Sequence, residues 1–509
     1  MIPSAIFTSS PAIAEIFLAC AGCFILLAGV FRGKRFPSCT YTLVQCSLVI
    51  AGLLTLSQFN HPALLFHGMF VTDNLAVVLK VSMYIFAFVA FVYTRAYMHR
   101  SASKPQVPTD EFYILGLFSV LGMVVVASAH HFILLYLGLE LFSLPLYVMI
   151  ALRKESTLSA DQQAMQPIAS PTKTTETYPR TSKTKSIEAA IKYFVTGSLA
   201  SGILLYGLSM LYGATKSLDL AAVAMAIMHI PVEQELILVF GLVFVVVGLA
   251  FKLGSVPFHM WVPDVYAGAP TPALLFLSTA PKIAALALLF RLLVTALPSL
   301  SGHWQEMLMV IAVFSMALGN LAAIVQSNIK RMLAYSSIAH MGYMLLGVVA
   351  ALPQGYGAAL FYMMTYGAMT LAAFGVLMMM NYSGYEADKI EDLRGLNSRN
   401  PWLALMMLFT LFSLAGVPPF VGFMAKVSIL EALIDAHLIW LAALALLFAI
   451  IGAYYYIRVV KVMYFEKPLE EAPIRYTRDM QVMLSINGCA LLALGIVPGF
   501  LFTLCQGVF

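Results

Sequence analysis

Residues 248–293 read GLAFKLGSVPFHMWVPDVYAGAPTPALLFLSTAPKIAALALLFRLL. Two apolar runs flank a Gly/Pro-rich break, and each run holds a lysine, Lys252 and Lys282. Apolar runs of roughly 20 residues cross a bilayer as helices. Proline removes a backbone donor and glycine weakens the helical ladder, so the first helix should break around Gly254 to Pro257. Backbone groups freed at membrane depth need protein or water partners. A broken helix beside a lysine therefore implies a hydrated pocket inside a membrane protein.

The rest of the chain has the same character. Of 509 residues, 61% are hydrophobic and only 10% are charged, with mean hydropathy +0.89. A soluble domain carries roughly 25% charged residues. This composition cannot make a polar shell, so most of the surface must face lipid. Apolar runs fall near 12–31, 39–58, 75–97, 112–130, 132–152, 187–213, 236–257, 270–297, 305–326, 332–351, 356–380, 401–432, 437–464 and 480–507. The fold predicted is an all-α polytopic membrane protein of about fourteen transmembrane helices. The division of runs four and five rests on the short Ala129-His130-His131 region.

Charge placement supports that count. Connections one, three, five, nine, eleven and thirteen hold 22 of the 29 Lys and Arg residues. The even connections hold only Lys216 and Arg291, and Arg291 could belong to a span. By the positive-inside rule the basic connections are cytoplasmic, which puts both termini outside. The first apolar run lacks a basic leader and precedes Arg32, Lys34 and Arg35, so it is expected to be retained. Connection five, residues 153–186, is polar and rich in Ser, Thr and Pro, and is expected to be a disordered cytoplasmic loop.

Redox and nucleotide chemistry find no support in the sequence. Cys20 and Cys23 have C-x-x-C spacing, but they lie inside an apolar run and are expected at a helix contact. No cysteine array could hold an iron–sulfur cluster, no metal ligand set stands out, and no Gly-rich nucleotide loop follows a strand.

Once loop charges are set aside, Lys80, Lys192, Lys252, Lys282, Lys426 and Glu140 remain inside apolar runs. A charge at the bilayer centre costs about 2.5–3.5 kcal/mol even on a lenient scale, and such residues mark ion paths. Lys80 sits near a run's start, where snorkelling to the headgroups is the expected reading. For Lys192 snorkelling and a path role weigh equally. Lys282 and Glu140 sit mid-run and cannot snorkel. Lys426 follows a second break, Gly416-Val417-Pro418-Pro419, in a run too long for one helix. Paired interrupted spans in two halves of a chain point to inverted-repeat transporters. Burial lowers a lysine's proton affinity and a carboxylate raises it, so a row of buried lysines can relay a proton. His259, His340 and Tyr343 are candidate bridges, together with Lys192.

GLAFKLGSVPFHMWVPDVYAGAP (248–270), followed by STAPKIA (278–284), resembles the central signature of the antiporter-like subunits of respiratory complex I. NIKRMLAYSSIAHMGYMLLG (328–347) and LFSLAGVPPFVGFMAKVSIL (411–430) are similar to two further blocks of that family. The likeness extends over about residues 75–465. It implies two inverted five-helix repeats, helices 4–8 and 9–13, with helices 7 and 12 broken. The chain would divide into N-terminal helices 1–3 (1–110), a first repeat (111–300), a second repeat (301–465) and helix 14 (466–509). It implies a proton-translocating set of Glu140, Lys252, Lys282 and Lys426. Lys426 stands where one branch of the family has glutamate, and no long lateral helix follows helix 14, unlike in another branch. The motif IRVVKVMYFEKP (457–468) also resembles the remaining branch. The 153–186 loop is longer than usual for the family.

The resemblance further implies a bacterial inner-membrane location and the other membrane and peripheral subunits of complex I as partners. No cofactor would be bound by this chain; FMN, iron–sulfur clusters and quinone would lie on the other subunits. A subunit of a multisubunit Na+/H+ antiporter is the alternative. A non-transporting scaffold is a third class, but it would gain nothing from several costly buried charges.

Overall fold

The computed structural model describes residues 11–32, 39–100, 109–152, 182–230, 232–382, 388–468, 474 and 476–509. Among these, thirteen helices are long and apolar enough to cross a membrane. The chain opens with α1 (Ile13–Arg32), α2 (Cys39–Leu56), a small antiparallel hairpin of β1 (Ala63–Leu65) and β2 (Phe70–Thr72), α3 (Asn74–Arg100), α4 (Thr109–Ser128) and α5 (Phe132–Ala151). Then come α6 (Ser182–Thr215), the short α7 (Leu220–Ile227) and α8 (Val232–Leu253).

Local chemistry sets several of these starts. The Asp73 carboxylate accepts from the Ala76 amide at 2.7 Å and caps α3, and Asp219 caps α7 by accepting from Ala222 at 2.9 Å. Such caps satisfy amides that the first helical turn leaves free. Runs four and five are two helices, as expected. Their turn is held by pairing of Ala129 with Phe70 and of His131 with Asp219.

The quoted stretch departs from a simple two-helix reading. After the break, α9 (Trp261–Gly268), α10 (Thr271–Leu277) and α11 (Ala280–Leu289) follow, and α11 runs into a π-helical turn, Phe290–Ala296. The eighth span is thus itself interrupted, at Ser278-Thr279, immediately before Lys282. Every residue of its central window is buried inside the protein, which makes it the core of the bundle.

The remaining spans are α12 (Ser301–Ile324), α13 (Ile329–Val349), α14 (Pro353–Tyr382), the pair α15 (Pro401–Ala415) and α16 (Val421–Asp435), α17 (Ile439–Phe465) and α18 (Arg478–Ile496), with α19 (Gly499–Gln506) beyond. Counted with the thirteen long helices, the α15–α16 pair supplies the fourteenth crossing. The two breaks, after α8 and after α15, share a design. Gly254 (φ 75°) and Gly416 (φ 81°) adopt the left-handed conformation that ends each helix, and a cis X–Pro bond follows in both.

Two expectations change. Cys20 and Cys23 are exposed on α1 and do not sit at a helix contact among the described residues. The inward stripe of α1 falls on Ala14, Leu18 and Ile25. Of the 153–186 loop, residues 153–181 lie outside the described residues, and 182–186 already belong to α6.

Candidate functional site

α5 brings Glu140, Ser143 and Tyr147 to one side, because residues three, four and seven apart share a helix face. Ser143 is the twelfth of twenty residues in α5, about 17 Å along its axis. Lys252 Nζ donates to Ser143 Oγ at 3.0 Å, over the ring of Phe142 at 5.8 Å. Lys252 ends its helix by sequence, yet this contact sets it level with the middle of α5. Glu140 is half-buried, and its Oε1 has no hydrogen-bond partner among the described residues. Its charge reaches Lys252, but the two form no ion pair.

Lys282, on the first turn of α11, is buried; it donates to Ser337 of α13 and lies over the Tyr366 ring at 5.1 Å. Tyr266 of α9 and Tyr366 of α14 flank the same Ser337. One turn along α13, His340 is buried between two phenols, with Nδ1 2.8 Å from the Tyr362 hydroxyl and Nε2 3.1 Å from that of Tyr456. The Tyr456 hydroxyl is also 2.5 Å from Ser336. Another turn on, the Tyr343 ring lies 5.4 Å beneath Lys426 Nζ, and its hydroxyl donates to the Ala445 carbonyl at 3.3 Å.

Lys426 projects from α16 back across the break. Its Nζ donates to the carbonyls of Ala415 at 2.7 Å and Leu414 at 3.2 Å. These are last-turn carbonyls of α15, left without intrahelical partners and at the negative end of the helix dipole. The break thus builds the lysine's own counter-dipole. Ser337, His340 and Tyr343 stand one turn apart along α13 and set a row of polar side chains between Lys282 and Lys426, with no hydrogen bond from one of the three to the next among the described residues. No hydrogen bond joins Lys252 directly to Lys282 among the described residues.

Over residues 178–503 the sequence matches the family described as "NADH:quinone oxidoreductase/Mrp antiporter, TM". The chain belongs to that family. It is 52% identical, over all of both chains, to a Coxiella burnetii protein named NADH-quinone oxidoreductase subunit N. A chain of respiratory complex I from Thermus thermophilus with bound Aureothin is 31% identical, with TM-score 0.79, covering 97% of this chain and 100% of that one. A chain of the Mrp complex from Dietzia sp. DQ12-45-1b superposes with TM-score 0.80 over 98% of this chain and 96% of that one, but at 18% identity it shares the fold alone.

In this family member other candidate residues lie apart from the line. Lys192 is on the surface, paired with Asp264 at 2.8 Å and Glu188 at 3.2 Å. Asp264 is also 3.7 Å from Arg331, and the group borders a cavity of 360 Å³ shared with Lys330 and Asp388. His259 is half-buried in the turn after the first break, and the structure does not bring it to Lys252.

Several buried charges were missed or misread from sequence. Lys80 does not snorkel: it is fully buried and paired with Glu15 of α1 at 2.6 Å. Glu15 was legible as the one acid in the first apolar run, 12–31. Arg291 belongs to the interior and makes a two-pronged pair with Asp73, at 2.7 and 2.8 Å. It also donates to the Ala127 carbonyl. Burial works to raise the Asp73 carboxyl, but the charge and hydrogen bonds of Arg291 outweigh it and hold it below the usual carboxylate range.

Proposed function

We propose that this chain is a proton-translocating membrane subunit of an NADH:quinone oxidoreductase, with Glu140, Lys252, Lys282 and Lys426 as its proton-carrying groups. The supporting observation is the row of polar side chains on α13 between two lysines: Ser337 meets Lys282, His340 meets the Tyr362 and Tyr456 hydroxyls, and the Tyr343 ring lies under Lys426. Lys252 lies at comparable depth beside Ser143, within the field of Glu140. An ammonium hydrogen-bonded to a hydroxyl or carbonyl can pass its proton to a neighbouring acceptor and regain one. Moving a charge outward against 100 mV needs about 2.3 kcal/mol, so the energy must come from outside the chain. Electron transfer on other subunits, which would carry FMN, iron–sulfur clusters and quinone, is the proposed source.

The same reading places the chain in a bacterial inner membrane with both termini outside, and divides it into two inverted five-helix repeats. The shared design of the two breaks supports the repeats. Lys192, with Asp264 and Glu188, is read as a solvated entry group. Full-length identity favours the oxidoreductase over an Mrp-type antiporter, because the Mrp likeness is one of fold.

The test is Lys252→Ala in the assembled complex. Electron-transfer-linked proton pumping should fall at least several-fold at matched complex content. Normal pumping by that variant would overturn the assignment of Lys252.

A further inference from the structure

The outward face of α17 carries an unbroken apolar stripe. Leu447, Ile450, Tyr454 and Ile457 are all at least half exposed. Their spacing of three or four residues keeps them on one side of the helix. From Leu447 to Ile457 the stripe is about 15 Å long, half the roughly 30 Å hydrocarbon core. Lys461 continues the same side one turn further and tops the stripe with a cation.

At that point a cavity of 440 Å³ opens between α17, the end of α12 and the turn Ile390–Leu393. Ser327, Arg394, Arg458 and Lys461 line it, with Tyr454 and Ile457 forming its apolar side. Glu391 and Glu466 also border it, but both are engaged by Arg394, whose Nε is 2.7 Å from Glu466 and whose Nη2 is 3.8 Å from Glu391. Arg458 is held by neutral groups, donating to the Ile324 carbonyl at 2.9 Å and the Gln326 carbonyl at 3.4 Å. Among the described residues neither Arg458 nor Lys461 has a carboxylate partner, so the cavity keeps a positive excess.

We infer that this cavity and stripe form a binding site for an anionic phospholipid. The phosphodiester oxygens accept from Lys461 Nζ and from the remaining N–H groups of Arg458, and one acyl chain lies along Ile457, Tyr454, Ile450 and Leu447. The occupant follows from the combination. A free phosphate has no use for a leaflet-long apolar stripe. A zwitterionic lipid brings its own cation into a site with surplus positive charge. Basic pockets between membrane helices on the Lys/Arg-rich side suit anionic headgroups. The site shares no residue with the buried lysine row, which α17 meets through Tyr456, so it stands or falls independently of the proposed pumping role.

The experiment uses the whole complex purified in mild detergent. Photoactivatable phosphatidylglycerol and phosphatidylcholine are added separately, and the labelled peptides are mapped. Phosphatidylglycerol should label α17 around Tyr454 to Ile457 more strongly than phosphatidylcholine does. Lys461→Gln should weaken that labelling about fivefold, the share of one surface cation, while Lys461→Arg should keep it. Lys461 is exposed and makes no hydrogen bond or ion pair among the described residues, so this variant reads binding; Arg458→Gln, which also frees the end of α12, is the supporting arm. Equal labelling by the two lipids, or no change in Lys461→Gln, would overturn the site. Full displacement by inorganic phosphate would show an anion site with no lipid. An Ile457→Cys variant that cross-links to a neighbouring subunit instead of taking up label would show that protein covers the stripe.

Discussion

At the scale of single residues, four lysines inside the spans each have an identifiable partner, and the partners differ in kind. Lys426 is met by carbonyl dipoles, Lys252 and Lys282 by serine hydroxyls, and Lys80 by a full carboxylate. A lysine held by dipoles can lose its proton without leaving a stranded anion; one locked to Glu15 cannot. The dipole-held lysines are therefore the proposed carriers, and the ion-paired groups are the ones expected to hold the bundle together. Lys426→Glu should retain more proton transport than Lys426→Met in vesicles at matched complex content, because titration rather than shape is required. Methionine transporting as well as lysine would take Lys426 out of the relay. Arg291 makes the opposite prediction. Asp73→Ala would leave its guanidinium buried without a counter-charge, at a cost of about 3 kcal/mol. The melting temperature of the purified protein should fall accordingly, and Asp73→Ala combined with Arg291→Met should recover most of the loss. A double variant no more stable than the single one would argue against the charge explanation.

At the scale of elements, the breaks are what place the lysines. Gly416 ends α15 in a left-handed conformation, and a methyl group there would lie 2.8 Å from Lys426 Cδ and 3.0 Å from its Nζ. Gly416→Ala should thus strain the backbone by about 1–2 kcal/mol and displace the ammonium from the Leu414 and Ala415 carbonyls. Pumping should drop although no titratable group has changed. Gly202→Ala, where nothing lies within 4 Å of the added carbon, is the control and should pump normally. If both variants pump alike, the tight approach of Gly416 to Lys426 has no functional weight. The break at Ser278-Thr279 is of another type, with no αL glycine and no proline until Pro281. That is why residues 270–297 read as one uninterrupted span.

At the scale of the whole molecule, the distribution of exposed apolar residues shows which parts are core. The eighth, tenth and eleventh spans are almost wholly enclosed, whereas α1, α17 and α18 leave most of their surfaces open. Open apolar surface of this extent must meet lipid or other subunits. Tagged chain extracted in mild detergent should therefore co-purify with peripheral NADH-oxidising subunits as well as membrane partners. Recovery with antiporter subunits and no NADH dehydrogenase activity would favour the Mrp-type reading.

The sequence by itself determined the membrane class, the fourteen crossings and both major breaks, because hydropathy, glycine and proline act locally along the chain. It also marked Lys252, Lys282, Lys426 and Glu140, since a charge inside an apolar run is visible without knowing its neighbours. Partnership is different, because it joins residues far apart in sequence. Only the tertiary structure decided that Lys80 pairs with Glu15 and Arg291 with Asp73, that Lys192 lies at the surface, and that Lys252 meets Ser143 in place of Glu140. Only the packing of α13 against α11, α14, α16 and α17 brought Ser337, His340 and Tyr343 between two lysines that are far apart in the chain.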